Sequence, residues 1–86
     1  MQFEFDENKS KSNKQKHGID FVEAQKLWDD PDRVEIPTKY IDEPRSVLIG
    51  KINDSYWSAI FTYRNKNIRV ISVRRSRENE KEIYES

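Results

Sequence analysis

Positive charge is concentrated where one predicted strand ends. The stretch NIRVISVRRSR, residues 67–77, alternates in hydropathy and then carries Arg74, Arg75 and Arg77. No aspartate or glutamate occurs between Arg64 and Arg77. Arginine presents a planar fork of N–H donors that matches the oxygens of a phosphate group. The pattern therefore predicts an anion-binding site, with phosphate as the favoured ligand, at the exit of this strand.

Strand alternation divides these arginines between two faces of a sheet. Successive side chains of a strand point to opposite faces, so Arg69 and Arg74 are expected on different faces. Arg75 is expected on the face of Arg69. We therefore expect one pair of arginines to hold the phosphate while the others contact flanking parts of the ligand. The alternative is that single arginines form ion pairs with acids of the C-terminal segment, namely Glu78, Glu80 or Glu82.

Composition favours one small folded domain spanning residues 1–86. Hydrophobic residues make up 34% and charged residues 37%, but 12% are aromatic and the net charge is zero, which is not typical of disorder. There is no cysteine and only one histidine, and no spacing suggests metal ligands, so we expect neither a metal nor a cofactor. No apolar run reaches membrane-spanning length, and we expect a soluble, cytoplasmic protein without membrane contact.

The zero net charge conceals four segments of opposite sign. Residues 9–17 contain four lysines and no acid, and residues 64–77 contain six basic residues and no acid. Residues 20–43 and 78–86 are acidic. Such a distribution can hold an anion on one face and repel it elsewhere. The alternative is that each segment is an ordinary solvated surface.

Local patterns predict an α+β domain. "QFEFD" predicts a short strand, Asp6 and Gly18 delimit a polar helix over residues 7–17, and Asp20 begins a second helix ended at Pro31. The chain up to Arg75 then predicts a meander with hairpin turns at NDS and RNKN, and residues 76–84 predict a third helix. We therefore expect two N-terminal helices and a C-terminal helix packed on a small, mainly antiparallel twisted sheet.

Several blocks of the chain resemble one protein family. They are "FDENK" near the start, "KHGIDFVEA" at 16–24, "WDDP" at 28–31, "IRVISVRRS" at 68–76 and "EIYE" at 82–85. Together they are similar to the BrnT toxins, the toxin halves of bacterial type II toxin–antitoxin pairs. The resemblance covers nearly the whole chain in the same order, although the family often has Trp at Phe5 and Ala at Val73.

The resemblance implies a fold like that of the RelE-type ribonucleases and an RNA-cleaving activity that inhibits translation. It also implies a BrnA-type antitoxin partner that carries the DNA-binding element, so that operator DNA is bound only through the toxin–antitoxin complex. There are two alternatives to the ribonuclease. In the first, the chain is a non-catalytic nucleic-acid-binding module that uses the arginine-rich hairpin. In the second, it is a structural partner whose charge serves a protein interface.

Metal-independent RNA cleavage needs a group that takes the 2′-OH proton, a group that protonates the leaving 5′-oxygen, and positive charge for the phosphorane. The candidate catalytic residues are His17, Arg64, Arg69, Arg74, Glu80 and Tyr84. The candidate RNA-binding residues are Lys14, Lys16, Arg75 and Arg77.

The sequence does not decide which residues act as the general base and the general acid. His17 has the side chain that titrates nearest neutrality, yet a histidine at a helix C-terminus is also favoured by the helix dipole alone. If His17 is idle, Lys16, Glu80 or Tyr84 must transfer protons. Tyr84 can also serve only to dock the terminal helix.

Overall fold

A five-stranded mixed sheet is the framework of the computed structural model, which describes residues 2–38 and 44–86. The sheet order is β1-β5-β4-β3-β2, with β1 parallel to β5 and every other neighbouring pair antiparallel. The elements are β1 (Phe3–Glu4), α1 (Glu7–His17), a 3₁₀ helix (Glu23–Asp29), β2 (Val34–Thr38), β3 (Arg45–Ile52), β4 (Ser55–Arg64), β5 (Asn67–Arg75) and α2 (Glu78–Glu85). Residues 39–43, the end of the acidic segment 20–43, lie outside the described residues.

The predicted α+β class, the meander and the polar first helix are confirmed. The turns of the two predicted hairpins lie at residues 53–54 and 65–66, where all four residues have positive φ. This conformation gives the tight turn that matches strand twist, and Asn and Asp tolerate it better than most residues. Asp6 caps α1 by accepting the backbone N–H groups of Asn8 and Lys9, and Gly18 ends it in the left-handed region with φ of 81°.

Two details of the expected fold were wrong. The second helix is a 3₁₀ helix of seven residues, a geometry used for short helical pieces. It also begins later than the expected start at Asp20, with Val22 as its capping residue. The Asp20 carboxylate accepts the N–H of Glu23 at 2.7 Å, and the Glu23 carboxylate accepts the N–H of Asp20 at 2.9 Å. The sheet is mixed because β1 adds to the outer edge of β5 in parallel register.

A β-bulge interrupts the alternation of β5. Ile60 of β4 lies opposite Ser72, but the next residue, Phe61, lies opposite Val70. Ile71 is therefore an extra residue without a counterpart on β4. One extra residue shifts every later side chain of the strand to the other face.

The bulge reverses the predicted partition of the arginines. Arg69 and Arg74, on either side of it, both lie opposite even-numbered residues of β4 and share one face of the sheet. Arg75 lies opposite Trp57, on the other face. The expectation that Arg75 shares a face with Arg69 was wrong, because a regular alternation was assumed across the bulge.

The hydrophobic core lies between the Arg75 face of the sheet and the segment from α1 to the 3₁₀ helix. Its fully buried side chains include Phe21, Leu27, Leu48, Phe61 and Val73. Trp28 packs edge-to-face against the Phe61 ring, with ring centroids 5.2 Å apart. The other face of the sheet receives α2, whose Glu80 is buried.

Helix α1 is attached by hydrogen bonds rather than by apolar packing. Its buried residues are Ser10 and Asn13. The Asn13 amide donates to the carbonyls of Ile19 at 2.8 Å and Val73 at 2.9 Å, and its oxygen accepts the Val73 N–H at 3.1 Å. The Ser10 hydroxyl accepts the N–H of Phe21 at 3.0 Å. A helix held in this way can expose all its lysines to solvent.

We predict that Asn13→Ala destabilises the protein by about 2–4 kcal/mol, because it leaves buried backbone groups of α1's neighbours unpaired. In a domain of this size the melting temperature should fall by at least about 10 °C. Circular dichroism melts provide the measurement, with Asn8→Ala, an exposed asparagine of the same helix, as the control. Equal melting temperatures for the two variants would contradict a structural role for Asn13.

Candidate functional site

Arg74 and Glu80 form a bidentate ion pair between the end of β5 and the first turn of α2. The Arg74 Nη1 and Nη2 atoms lie 2.7 and 2.9 Å from the two carboxylate oxygens of Glu80. Glu80 Oε1 also accepts the Ser58 hydroxyl at 3.0 Å and the Arg77 backbone N–H at 2.7 Å. Ser76 bonds the same Ser58 hydroxyl at 2.7 Å. The contact is the ion pair considered above as the alternative to catalysis for Arg74.

The Arg77 N–H contact also corrects the start of the terminal helix. The sequence predicts a helix over residues 76–84, but the capping residue is Arg77 and the helix begins at Glu78, which places Glu80 at the third helical position. A glutamate there can accept the N–H of the capping residue, as in a capping box.

The network keeps Glu80 ionised. The pKa of Glu80 is lowered from 4.5 to about 2, first by the hydrogen bonds from Arg74 and then by those from the Arg77 N–H and Ser58, against the opposing effect of burial. A carboxylate with so low a pKa is a weak base and holds no proton at neutral pH. This environment suits Glu80 as a structural anion; its catalytic role stays a prediction.

The arginines of the hairpin are not all brought together. Arg64 lies at the β4–β5 turn, opposite Asn67, whereas Arg75 ends β5. Eight residues of strand separate these positions by roughly 25 Å. Arg69 lies between them and forms an ion pair with Glu4 at 3.5 Å. A single phosphate can therefore contact one end of this series only.

Arg75 has a different environment from Arg69 and Arg74. Its guanidinium stacks over the Trp57 ring, 4.6 Å from the centroid. The side chain is exposed, and within residues 2–38 and 44–86 no carboxylate forms an ion pair with it. Its N–H donors therefore face solvent while the ring fixes the plane of the guanidinium.

A cleft of about 290 Å³ adjoins this guanidinium, and we call it the arginine cleft. It is lined by Asp54, Ser55, Tyr56, Arg75, Ser76 and Lys81. The ammonium group of Lys81 lies 5.7 Å from the centre of the Tyr56 ring. Two basic residues, one acidic residue and three residues that carry hydroxyl groups thus line one opening at the end of the sheet.

Sequence reasoning missed Trp57 and Lys81 as members of the site. The signal that could have found them is the strand register. Once the turn is placed at residues 53–54 and the bulge in β5 is known, Tyr56 and Trp57 of β4 lie opposite the end of β5. The Tyr56 hydroxyl donates a hydrogen bond to Glu85 of α2, and Lys51 lies over the same ring at 4.8 Å. These contacts fix the Tyr56 ring beside the cleft.

Tyr84 makes the docking contact of α2. Its hydroxyl donates to Asp30 Oδ2 at 2.8 Å, and its ring packs edge-to-face on Tyr56 with centroids 5.7 Å apart. Burial, followed by the hydrogen bond to Asp30, raises the pKa of Tyr84 to about 12. The phenol therefore holds its proton tightly, and its predicted catalytic role gains no support from this environment.

His17 lies at the same end of the sheet as Arg75. It is the last residue of α1 and is exposed. Asn13, one helical turn earlier, bonds the backbone of Val73, which precedes Arg75 by two residues. Residues four apart share a helix face, so the His17 side of α1 extends toward the end of β5.

The predicted RNA-binding residues fall into two groups. Lys14 forms an ion pair with Glu23 at 2.7 Å, which raises the pKa of the lysine. Lys16 and Arg77 are exposed, and among the described residues neither has an acidic partner. Together with Arg75 they place positive charge around the end of β5.

We predict that Glu80 makes stability depend on acid. Since its folded pKa is lowered to about 2, its contribution is complete above pH 4.5 and is lost as the pH falls from 4.5 toward 2. That contribution amounts to as much as about 3 kcal/mol. Glu80→Gln should lower the free energy of unfolding at pH 7 and flatten its decline between pH 5 and pH 3, measured by urea unfolding. The exposed Glu82→Gln is the control, and an equally steep decline in Glu80→Gln would assign the acid sensitivity to other groups.

The described part of the chain contains neither a cluster of metal ligands nor a membrane-spanning helix. Within residues 2–38 and 44–86, no three histidine, cysteine, aspartate or glutamate side chains lie together as metal ligands would. None of the helices in these ranges is long and apolar enough to cross a membrane.

A comparison with known protein families identifies the family of this chain. Residues 5–80 match a family model described as the ribonuclease toxin BrnT of type II toxin–antitoxin systems. No individual curated protein matches the chain significantly. The family match spans most of the chain, including β5 and its arginines, and a toxin of this class is paired with an antitoxin protein. The chain therefore belongs to the BrnT family of ribonuclease toxins of type II toxin–antitoxin systems.

Proposed function

We propose that this toxin is an endoribonuclease that cleaves RNA without a metal ion, by attack of a 2′-OH on the adjacent phosphate in the arginine cleft. One observation carries the proposal. Arg75 is stacked on Trp57, 4.6 Å from the ring centroid, and has no carboxylate partner among the described residues. It is thus an oriented cation whose N–H donors are available to a ligand.

Charge compensation is the reason for preferring Arg75 over its neighbours on β5. The charge of Arg74 is balanced by Glu80 and that of Arg69 by Glu4. Transferring either arginine to a phosphate would leave a carboxylate unpaired, which is especially unfavourable for the buried Glu80. Arg75 can bind a phosphate oxygen without breaking an ion pair. Lys81 supplies a second cation in the same cleft, and its ion pair with Glu78 at 3.3 Å is solvent-exposed and therefore weak.

The reaction has a simple balance of bonds and protons. The 2′-oxygen forms a bond to phosphorus, the bond from phosphorus to the 5′-oxygen breaks, and the leaving 5′-oxygen takes a proton from solvent water. A base removes the 2′-OH proton, and we assign this role to His17, because imidazole accepts a proton near neutral pH. Glu80 and Tyr84, the other proton-transfer candidates, have pKa values of about 2 and about 12.

Positive side chains take the place of a metal ion in this mechanism. The phosphorane gains negative charge on its non-bridging oxygens, and oriented donors in a fixed site stabilise such charge effectively. Arg75 and Lys81 line the cleft together with Ser55, Tyr56 and Ser76. Asp54 is the acid of the cleft, so the net charge of its side chains is positive.

The proposed partner is an antitoxin of the BrnA type that covers the arginine cleft or its rim. An exposed arginine beside an aromatic ring is the kind of group that forms the centre of protein interfaces. Such a partner would compete with RNA for Arg75. Operator DNA would then be bound by the complex through the antitoxin, consistent with a toxin chain of zero net charge.

We predict that Arg75→Ala lowers RNA cleavage by about a hundredfold, because it removes an oriented donor from the transition state. Its melting temperature should change little, since the side chain is exposed. Arg69→Ala is the matched control: it removes an arginine of the same strand that is already paired with Glu4, and should retain most activity. If Arg69→Ala is the more damaging variant, the phosphate lies at the other end of β5.

We further predict that cleavage persists in EDTA and yields 2′,3′-cyclic phosphate ends together with 5′-hydroxyl ends. Purified toxin, end-labelled RNA and mass spectrometry of the products provide the measurement. Loss of cleavage in EDTA and recovery with magnesium would contradict the mechanism. Tight RNA binding without any cleavage would favour the non-catalytic binding module instead.

A further inference from the structure

A second cleft lies directly beside the arginine cleft. It has a volume of about 220 Å³ and is lined by Gly18, Ile19, Glu23, Lys26, Ile52, Asn53, Ser55 and Trp57. We call this opening the base cleft. It takes no part in the mechanism proposed above. Its walls come from three parts of the fold: the turn after α1, the 3₁₀ helix and the β3–β4 hairpin.

The base cleft combines apolar walls with a few polar groups. Ile19, Ile52 and Trp57 supply apolar surface, while Glu23, Lys26 and Asn53 supply groups that form hydrogen bonds. This composition is typical of sites that bind one flat, polar-edged molecule and orient it. A nucleobase has this character, since it carries hydrogen-bonding groups around an apolar ring face.

The two clefts are contiguous. Trp57 lines the base cleft, and its ring carries the Arg75 guanidinium that lines the arginine cleft. Ser55 lines both. Gly18, in the base cleft, directly follows His17. A nucleotide with its base in the base cleft would therefore have its 3′-phosphate near Arg75 and its ribose on the His17 side.

We propose that the base cleft binds the nucleobase of the nucleotide whose 2′-OH attacks, and that Glu23 selects bases that carry an amino group. The proposal rests on the ribonuclease function proposed above. It assigns adenine, cytosine and guanine as accepted bases and uracil as the disfavoured one.

The selectivity follows from the hydrogen bonds that Glu23 already makes. Its Oε1 atom accepts the Lys14 ammonium at 2.7 Å and the Asp20 N–H at 2.9 Å, so the carboxylate is fixed in place. Among the described residues no group donates to its Oε2 atom, which is left to accept from a ligand. The hydrogen bond from Lys14 lowers the pKa of Glu23, so the group only accepts hydrogen bonds at neutral pH.

An acceptor at this position distinguishes the bases chemically. Adenine, cytosine and guanine offer an exocyclic amino group to a carboxylate, as in the pairing of acidic side chains with the cytosine amino group. Uracil has no amino group, and its single N–H lies between two carbonyl oxygens that a carboxylate repels. A well-placed contact of this kind changes affinity by about tenfold or more between matched and mismatched bases.

The test reads the 3′-terminal nucleotide of the cleavage products. In the proposed mechanism this nucleotide keeps the 2′,3′-cyclic phosphate and is the one bound in the base cleft. Wild-type toxin acting on an RNA pool of random sequence should give about tenfold fewer uridine ends than ends of any other base. Glu23→Gln keeps one oxygen for Lys14 and Asp20 but presents an amide donor on the other side. It should still cleave, with uridine ends now enriched.

Glu82→Gln is the matched control, because it makes the same change at an exposed glutamate that lines neither cleft. It should keep the wild-type preference against uridine. An unchanged distribution of ends in Glu23→Gln, or abundant uridine ends with wild-type toxin, overturns the proposal while leaving the ribonuclease function intact.

A binding measurement separates failure of the base cleft from failure of the ribonuclease function. Four dinucleotides that differ in the first base and carry a 2′-O-methyl group there cannot be cleaved by the proposed route. NMR titration should show the amide signals of Gly18 and Asn53 shifting, with about tenfold weaker binding for the uridine dinucleotide. Equal affinities for all four, or shifts that leave Gly18 and Asn53 unaffected, overturn the assignment of the base cleft even if RNA is cleaved. An antitoxin segment that shifts these signals while no dinucleotide does would identify the cleft as a protein-binding site instead.

Discussion

The extra residue in β5 is the constraint on which the rest of the arrangement depends. Because Ile71 has no counterpart on β4, it determines which of the two adjacent arginines that follow it lies on which face of the sheet. Arg74 turns to the face that receives α2 and pairs with Glu80. Arg75 turns to the face of Trp57 and remains open to solvent. Without the bulge these two side chains would exchange faces, and the cation at the cleft would be the one needed to hold the helix.

The ion pair in turn determines the shape of the site. By binding both the Arg74 guanidinium and the Arg77 N–H, Glu80 fixes the first turn of α2 against the end of β5. That turn positions Lys81, the next residue, at the arginine cleft. At the other end of α2, the Tyr84 hydroxyl bound to Asp30 keeps the helix along the sheet. Glu80 and Tyr84, whose pKa values are shifted to about 2 and about 12, thus fix the position of α2 beside the arginine cleft.

Local sequence predicted the parts of the fold that local interactions determine. Asp6 and Gly18 delimit α1 because capping depends on a few neighbouring residues, and the Asn-rich turns specify hairpins for the same reason. The bulge could not be predicted, since it depends on which residues of β4 and β5 face each other across the sheet. The arginine cluster was recognised from charge alone, but its division into paired and open members required the positions of Glu4 and Glu80.

Local charge matters more than total charge in a chain of this composition. The net charge is zero, yet carboxylates are used inside the fold to balance the arginines that build it. What remains at the end of β5 is a small excess of cations, namely Arg75, Lys16 and Arg77, while Lys81 is paired with Glu78 at 3.3 Å. At physiological ionic strength charges more than about 8 Å apart are largely screened. An RNA phosphate that reaches this end of the sheet therefore responds to these few groups, and the distant acids of the chain neither attract nor repel it strongly.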